Sequence, residues 1–113
     1  MHEMTLAESV LQIVEDAARR EGLRRVRAVW LEIGQLASVE PEAMRFCFDA
    51  AARDGVAAGA RLEIIRTAGA AWCSDCAERV ALAELGAACP RCGGYQLRVT
   101  EGAAMRVKEL EAE

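Results

Sequence analysis

The chain has 113 residues, a formal net charge of −4 and few aromatic side chains. This length allows one modest hydrophobic core, alone or with an appended module held together by a metal ion. The negative charge and the scarcity of aromatic rings argue against a nucleic-acid-binding protein, because such proteins bind phosphates through Lys and Arg.

The beginning of the chain lacks the features of a secretory signal. Glu3 and Glu8 interrupt it, and no continuous apolar segment follows a basic start. No apolar run is long enough to span a bilayer, so we expect no membrane partner. With five cysteines and no signal, the sequence predicts a protein of the reducing cytoplasm, where thiols bind metals rather than form disulfides.

The first predicted element is a helix from Thr5 to Arg20. Thr5 and Glu8 form a capping box, and Gly22 supplies a stop signal. An apolar stripe at helical spacing supports the helix: Ala7, Val10, Leu11, Val14, Ala17 and Ala18. Residues 1–3 then form a short free arm in front of it.

The middle of the chain predicts two strands with a helix between them. Arg25 to Ile33 reads as a strand that ends at Gly34, and its two largely apolar faces predict a central position in a sheet. Pro41 fits the first position of a second helix, because its fixed φ suits the start of a helix. Alternating side chains from Arg61 to Arg66 predict another strand.

Strand-like alternation returns near the end, at Gln96–Thr100 and Met105–Leu110. We interpret these segments together as the closing strand of the main sheet. The predicted fold class is α+β, with two helices packed on a three-stranded mixed sheet and an inserted zinc-ribbon module. The predicted domains are an α/β domain, 1–68 with 96–113, and an inserted domain, 69–95, and the metal that each binds follows from the residues described next.

Four of the five cysteines form two Cys-x-x-Cys pairs that are separated by twelve residues. Two residues between thiols allow one tight turn to direct both sulfurs at one ion, and two such turns complete a tetrahedron. Pro90, Gly93 and Gly94 suit the second turn, whereas Ala77 stands where a glycine is easier in the first. The pattern predicts a structural Zn²⁺ bound by Cys73, Cys76, Cys89 and Cys92.

Other interpretations of the cysteine pairs stay open. Two thioredoxin-like redox pairs lack the strand-then-helix context that such motifs need, and disulfides do not suit a reducing compartment. A rubredoxin-like site is consistent with the ligands, because four thiolates suit iron as well as zinc. For the whole chain, the alternative function is a zinc-ribbon module for protein–protein or nucleic-acid interaction, and the net acidity disfavours the latter.

His2 is the only histidine of the chain. If Met1 is retained, its α-amine, the His2 amide nitrogen and the imidazole Nδ1 close a five-membered and a six-membered chelate ring. Such nitrogen-rich planar sets favour Ni(II) or Cu(II) over zinc, and the amide or carboxylate of Glu3 can fill a fourth position. The alternative is a polar residue on a frayed terminus.

A series of short segments runs in a recognisable order along the chain: Met1–Leu6, Ile33–Leu36, Val39–Glu42, Phe46–Phe48 and Gly59–Ile64, followed by the two Cys pairs. Together they resemble the HypA/HybF family of hydrogenase nickel-incorporation proteins over essentially the whole chain. The Met-His-Glu opening combined with distant paired cysteines is the specific part of this resemblance.

The resemblance implies a non-enzymatic metallochaperone. It would deliver Ni²⁺ to the large-subunit precursor of [NiFe]-hydrogenase, with a HypB-type GTPase as partner. Met1, His2 and Glu3 match the family's nickel site, and the four paired cysteines match its zinc ligands. Ni²⁺ is then transient cargo and Zn²⁺ a structural cofactor. The sequence leaves a monomer and a homodimer open.

Two further features have interpretations of their own. Cys47 lies among apolar residues of the second helix and reads as a small buried hydrophobe. Five arginines gather around the end of the first helix, where cations interact favourably with the helix dipole. We interpret them mainly as a solvated face, and the alternative is a docking patch for an acidic partner; they are Arg19, Arg20, Arg24, Arg25 and Arg27.

Overall fold

The computed structural model describes residues 2–113, which form two helices and six strands. The strands belong to two three-stranded sheets, with the orders β2-β1-β6 and β4-β3-β5. The predicted α+β fold class is therefore confirmed. In chain order the elements are α1 (Glu3–Glu21), β1 (Val26–Gly34), α2 (Pro41–Ala52), β2 (Arg61–Thr67), β3 (Ala70–Cys73), β4 (Glu78–Ala81), β5 (Leu97–Glu101) and β6 (Met105–Ala112).

The chain divides into two compact units. The first extends through Leu31 and also contains Val39–Ile65 and Arg106–Glu113, and the second contains Glu32–Ser38 and Arg66–Met105. Neither helix of residues 2–113 combines the length and the apolar character that crossing a bilayer requires. The functional domains expected from the sequence, with the module at 69–95, stay a prediction.

Helix α1 begins earlier than predicted. Glu3 is its first residue and His2 is its N-cap, with the His2 carbonyl accepting the Leu6 N–H at 2.9 Å. Thr5 therefore lies inside the helix, and the predicted capping box of Thr5 and Glu8 is wrong. The predicted free arm is also wrong for His2 and Glu3, which cap and begin the helix. The physical reason is that Glu3 is buried on the same face as Ala7, so the first turn packs with the rest of the helix. Met1 lies outside the described residues.

The first unit has an ordinary apolar core. Its fully buried large side chains come from α1, β1 and α2, and they are Val14, Val26, Val29, Leu31, Met44 and Phe48. β1 lies between β2 and β6, as its two apolar faces predicted. Pro41 occupies the first turn of α2, also as predicted, and the carboxylate of the N-cap Glu40 accepts the backbone N–H groups of Glu42 and Ala43.

The second unit contains a sheet that the sequence did not predict. β3 pairs antiparallel with β4 and with β5, and Cys73 lies opposite both Glu78 and Leu97. The predicted single closing strand is therefore wrong, because β5 joins this sheet and only β6 joins the first. Gly102, with φ 84°, lies between the two strands and redirects the chain.

The apolar clusters of the second unit are small. One contains Leu36, Ala71 and Leu82, and the other contains Val80 with two of the paired cysteines, Cys73 and Cys89. Thiols thus occupy positions that apolar side chains fill in a larger core. This unit has little buried apolar volume of its own, which is the situation in which a bound metal contributes directly to folding.

Candidate metal centres

The four paired cysteines converge on one point. Their Sγ atoms all lie within 4.8 Å of one another. Cys73 Sγ is 3.7 Å from Cys92 Sγ, and Cys76 Sγ is 3.9 Å from Cys89 Sγ. Four sulfurs bound tetrahedrally at about 2.3 Å from zinc are separated by about 3.8 Å. The thiols therefore fit a Zn²⁺ ion.

The first pair lies in the turn of the β3–β4 hairpin. Cys73 ends β3, and its Sγ accepts the backbone N–H of Cys76 at 3.4 Å. Ala77 then adopts φ 53°, a left-handed conformation that an alanine tolerates poorly, before Glu78 begins β4. The sequence-based expectation that a glycine is easier here agrees with this conformation.

The second pair lies in the turn that precedes β5. The Arg91 N–H donates to Cys89 Sγ and the Gly94 N–H donates to Cys92 Sγ, both at 3.4 Å. Gly93 has φ 75°, and the Cys89 N–H donates to the Gly94 carbonyl at 2.7 Å. The Gly93 N–H donates to the Cys89 carbonyl at 2.9 Å, so of the two glycine amides predicted to point at sulfur only that of Gly94 does so. Such donors favour the thiolate form of cysteine.

Because the thiols share one site, the pKa values of Cys76 and Cys89 shift in opposite directions. The backbone N–H of Cys92 lowers the pKa of Cys89 to about 7, although burial acts in the opposite direction. Hydrogen bonding with the Cys92 thiol, together with burial, raises the pKa of Cys76 to about 12. A divalent cation supplies the positive charge that lets all four ionise together, so zinc binding releases protons.

The surroundings of the cluster connect its two turns. Glu78, after the first turn, forms an ion pair with Arg91 of the second. Cys73 and Cys89 are buried, whereas Cys92 is exposed, so the cluster lies at the edge of its unit. Cys47 is buried on α2 and is not a member of the cluster, in agreement with its interpretation as a small core residue.

The start of α1 presents a different set of donor atoms. The imidazole of His2 is exposed, and its Nδ1 lies 3.7 Å from Oε1 of the buried Glu3. Backbone N–H groups at the start of a helix have no acceptor within the helix. The imidazole, the carboxylate and these backbone nitrogens therefore lie together where chelation of a metal ion does not disrupt a helical hydrogen bond.

Glu3 is anchored from two directions. A hydrogen bond from its own backbone N–H holds the pKa of the Glu3 carboxyl below its usual value, although burial opposes this effect. The Glu40 N–H also donates to Glu3 Oε2, at 3.5 Å. Glu40 comes directly before Pro41, the predicted first residue of α2, and the N–H of such a cap residue has no acceptor within the helix. The sequence therefore indicated that the Glu40 N–H needs an acceptor elsewhere. The sequence did not show that Glu3 would be its acceptor.

The helix start is an unfavourable place for a bare cation. The aligned peptide dipoles give the N-terminus of a helix a partial positive charge. The carboxylate of Glu3, whose pKa is lowered, offsets this charge. A metal ion that can also deprotonate a backbone amide gains a further negative donor, and Ni(II) and Cu(II) do so more readily than Zn(II).

The structure thus brings the four predicted zinc ligands together and places His2 beside Glu3. The third residue of the predicted nickel site, Met1, lies outside the described residues. A family model described as HypA, hydrogenase/urease nickel incorporation, metallochaperone, matches residues 1–112 of the chain. The chain belongs to the HypA family.

Several HypA relatives match the whole chain. The hydrogenase maturation factor HypA of Albidiferax ferrireducens is 66% identical over 113 residues, which is all of both chains. Those of Rhodopseudomonas palustris strain BisB5 and Dechloromonas aromatica are each 59% identical, also over the full length of both chains. The resemblance found in the sequence is therefore confirmed.

A solved HypA structure has a similar fold. The solution structure of the Ni metallochaperone HypA from Helicobacter pylori aligns with a TM-score of 0.71 and covers 99% of this chain and 97% of that one. Its sequence identity to this chain is 23%, so the match supports the fold alone.

Proposed function

We propose that this HypA family member is a nickel metallochaperone that binds Ni²⁺ at Met1, His2 and Glu3. It delivers the ion to the large-subunit precursor of [NiFe]-hydrogenase, with a HypB-type GTPase as partner, in the cytoplasm. Family membership supports the class of function, and the relatives named as hydrogenase maturation factors support the recipient. The observation that carries the site is the exposed His2 imidazole beside the Glu3 carboxylate at the start of α1.

Binding in this proposal uses nitrogen donors that the fold leaves available. The α-amine, the His2 amide and the His2 imidazole chelate the ion, and the amide or carboxylate of Glu3 completes the set. The imidazole of His2 is already exposed, so this donor can bind without a change in the core. Because each nitrogen must lose or lack a proton, acid weakens nickel binding.

Release in this proposal is ligand exchange, with no covalent chemistry by the protein. The imidazole of His2 is 54% exposed, so an incoming donor from a recipient can approach the ion while the chelate opens. Soft thiolates of a recipient compete well against nitrogen and oxygen donors. The protein therefore acts as a carrier rather than an enzyme.

The cysteine cluster has a separate role. We assign Zn²⁺ to Cys73, Cys76, Cys89 and Cys92, where the ion would link the two turns. Four thiolates leave no open coordination position, which is typical of structural rather than catalytic zinc. The zinc site stabilises the second unit and does not carry the cargo.

Calorimetric titration of Ni²⁺ into zinc-loaded, untagged protein tests the site. We expect one nickel ion per chain in the wild type and an affinity at least about tenfold lower in His2→Ala, since even indirect partners of metal ligands contribute this much. Thr5→Ala is the matched control, because Thr5 is exposed in the same helical turn and is no proposed ligand. Equal nickel affinity in the wild type and in His2→Ala would rule out the proposed nickel site.

A further inference from the structure

The arginine-rich stretch has a defined place in the structure. Residues 19–27 contain five arginines and one acidic residue, Glu21, in a chain whose net charge is −4. Helix α1 ends at Glu21 and β1 begins at Val26. The stretch thus comprises the last turn of α1, the connection and the start of β1, all within the first unit.

Three of these arginines have exposed side chains that are free for a partner. Arg19 pairs with Asp16 and Arg27 pairs with Glu113, so their charges are compensated within the fold. Arg20, Arg24 and Arg25 are exposed, and among residues 2–113 no carboxylate lies within ion-pair distance of them. We refer to these three residues as the arginine patch.

The backbone beneath the patch is held on both sides. The Arg24 and Arg25 N–H groups donate to the Glu113 carbonyl oxygen at 2.8 and 3.3 Å, and the Glu113 N–H donates to the Arg25 carbonyl at 2.9 Å. Gly22, with φ 66°, fixes the exit from α1. A partner that binds here has to order arginine side chains but no loop, which lowers the entropic cost of association.

Two shallow hollows lie beside the patch and share Leu23 as a wall. One has a volume of about 280 Å³ and is also lined by Glu15, Ala18, Arg19 and Val56. The other has a volume of about 390 Å³ and is lined by Glu21, Leu110 and Ala112 in addition to Leu23. Each hollow is thus lined by both apolar and charged residues.

We propose that the arginine patch, together with one of the two hollows lined by Leu23, docks an acidic segment of a protein partner. Its carboxylates pair with Arg20, Arg24 and Arg25, since guanidinium groups bind carboxylates with two parallel hydrogen bonds. An apolar side chain of the segment enters the hollow. This interaction is separate from the proposed nickel site, because the two lie at opposite ends of α1. The helix has 19 residues, so its ends are about 28 Å apart.

The composition of the surface favours a carboxylate-bearing protein segment over other anions. The exposed large hydrophobic residues of the described chain are Ile13, Phe46, Trp72, Leu85, Tyr95 and Val99, and none of them belongs to residues 14–27. The patch therefore offers no aromatic ring on which a base can stack and no large side chain that can insert into a bilayer.

Fluorescence anisotropy tests this proposal with a short fluorescein-labelled peptide in which leucines are spaced among glutamates. The patch variant is Arg24→Glu/Arg25→Glu. Its matched control is Arg98→Glu/Lys108→Glu, which changes the net charge equally at two other exposed positions. We expect the wild type to bind the peptide less tightly as salt rises, and the patch variant to bind at least about tenfold more weakly than the wild type. The control should retain wild-type affinity within about a factor of two.

Three outcomes would overturn the proposal. The first is no binding of the peptide by the wild type, and the second is an equal loss in both charge-reversal variants. The third is tighter binding to duplex DNA or to phosphatidylserine vesicles than to the peptide. Leu23→Ala provides a second variant without a charge change, and we expect it to weaken peptide binding as well. Circular dichroism and the nickel titration should match the wild type in the patch variant, which separates this test from that of the proposed function.

Discussion

The sulfur cluster and the start of α1 are two candidate metal sites of opposite construction. The cluster consists of four thiols on two turns, with backbone N–H groups donating to three of the sulfurs. The helix start offers an exposed imidazole, one carboxylate and backbone nitrogens. A closed tetrahedral set suits an ion that stays, whereas an open nitrogen-rich set suits an ion that leaves.

The two units of the chain differ in the same way. The first has a core of large side chains such as Leu31, Met44 and Phe48. Among residues 2–113, the second has two small clusters, one of which contains Cys73 and Cys89. Where apolar volume is scarce, a bound metal ion can supply stability that the core does not. We therefore expect the removal of zinc from the cysteine cluster to destabilise the protein much more than the removal of nickel from the proposed site at the start of α1.

Loss of a zinc ligand should give the largest effect. Cys73→Ser removes one of the four thiolates, and a structural zinc site contributes an apparent folding free energy of about 10 kcal/mol or more. We expect this variant to lose zinc and the amide-exchange protection of β3 and β4, while α1 and α2 stay protected. Metal analysis and hydrogen exchange measure the two effects.

Cys47→Ser is the matched control for that variant. Cys47 is buried but does not belong to the cluster, so zinc should stay bound. Full zinc content in Cys73→Ser, or equal zinc loss in Cys47→Ser, would contradict the assignment of the ligands.

A second large effect should come from backbone packing that is independent of the metal. A Cβ atom on Gly34 would lie 2.0 Å from the Gly102 carbonyl oxygen. Gly34→Ala should therefore lower the free energy of unfolding by about 3 kcal/mol or more, because two backbone segments must move apart. Chemical denaturation of the zinc-loaded protein measures this change.

Gly86→Ala controls for conformational strain without a clash. Gly86 has φ 85°, but a Cβ there meets no atom within 4 Å. Its replacement should cost only about 1–2 kcal/mol. If both variants lost equal stability, close backbone approach would not be what distinguishes Gly34 from Gly86.

Local signals in the sequence predicted much of this architecture. The spacing of the cysteines, the fixed φ of Pro41 and the apolar faces of β1 each encode a feature within a few residues. Pairing across a long separation was not encoded in this way. Alternation predicted a strand at Gln96–Thr100, one residue from the observed β5 (Leu97–Glu101), but it carries no information on whether the partner is β3 or the first sheet.

The same distinction applies at the candidate nickel site. The donor atoms of His2 and Glu3 follow from the sequence, but the start of α1 did not, because the Thr5 capping signal competed with the burial of Glu3. The contact between Glu3 and Glu40 joins residues far apart in the chain. It depends on how α1 and α2 pack, which no local pattern specifies.

Displacing the α-amine should weaken only one of the two candidate metal sites. One glycine added before Met1 moves the amine out of its chelate ring with His2, so we expect nickel affinity to fall at least about tenfold with zinc content unchanged. One glycine added after Glu113 is the control and should leave nickel binding intact. Undiminished nickel affinity in the N-terminal extension would remove the amine from the ligand set.

The smallest predicted effect concerns strain in the first zinc turn. Ala77 has φ 53°, where an alanine is disfavoured by about 1–2 kcal/mol. Ala77→Gly relieves this strain, but the greater freedom of glycine in the unfolded chain offsets part of the gain. We expect the free energy of unfolding to rise by about 0.5–1 kcal/mol, with slower loss of zinc to a chelator.

Ala83→Gly tests whether this gain belongs to the conformation of Ala77. Ala83 is also exposed in the second unit, but it is not among the residues with positive φ. The same substitution there brings only the entropic cost and should lower stability by about 0.4–1 kcal/mol. Opposite signs for the two alanines, read from thermal unfolding midpoints, would show that the turn holds its ligands under strain. A loss of stability in both would mean that the zinc turn tolerates a left-handed alanine at little cost.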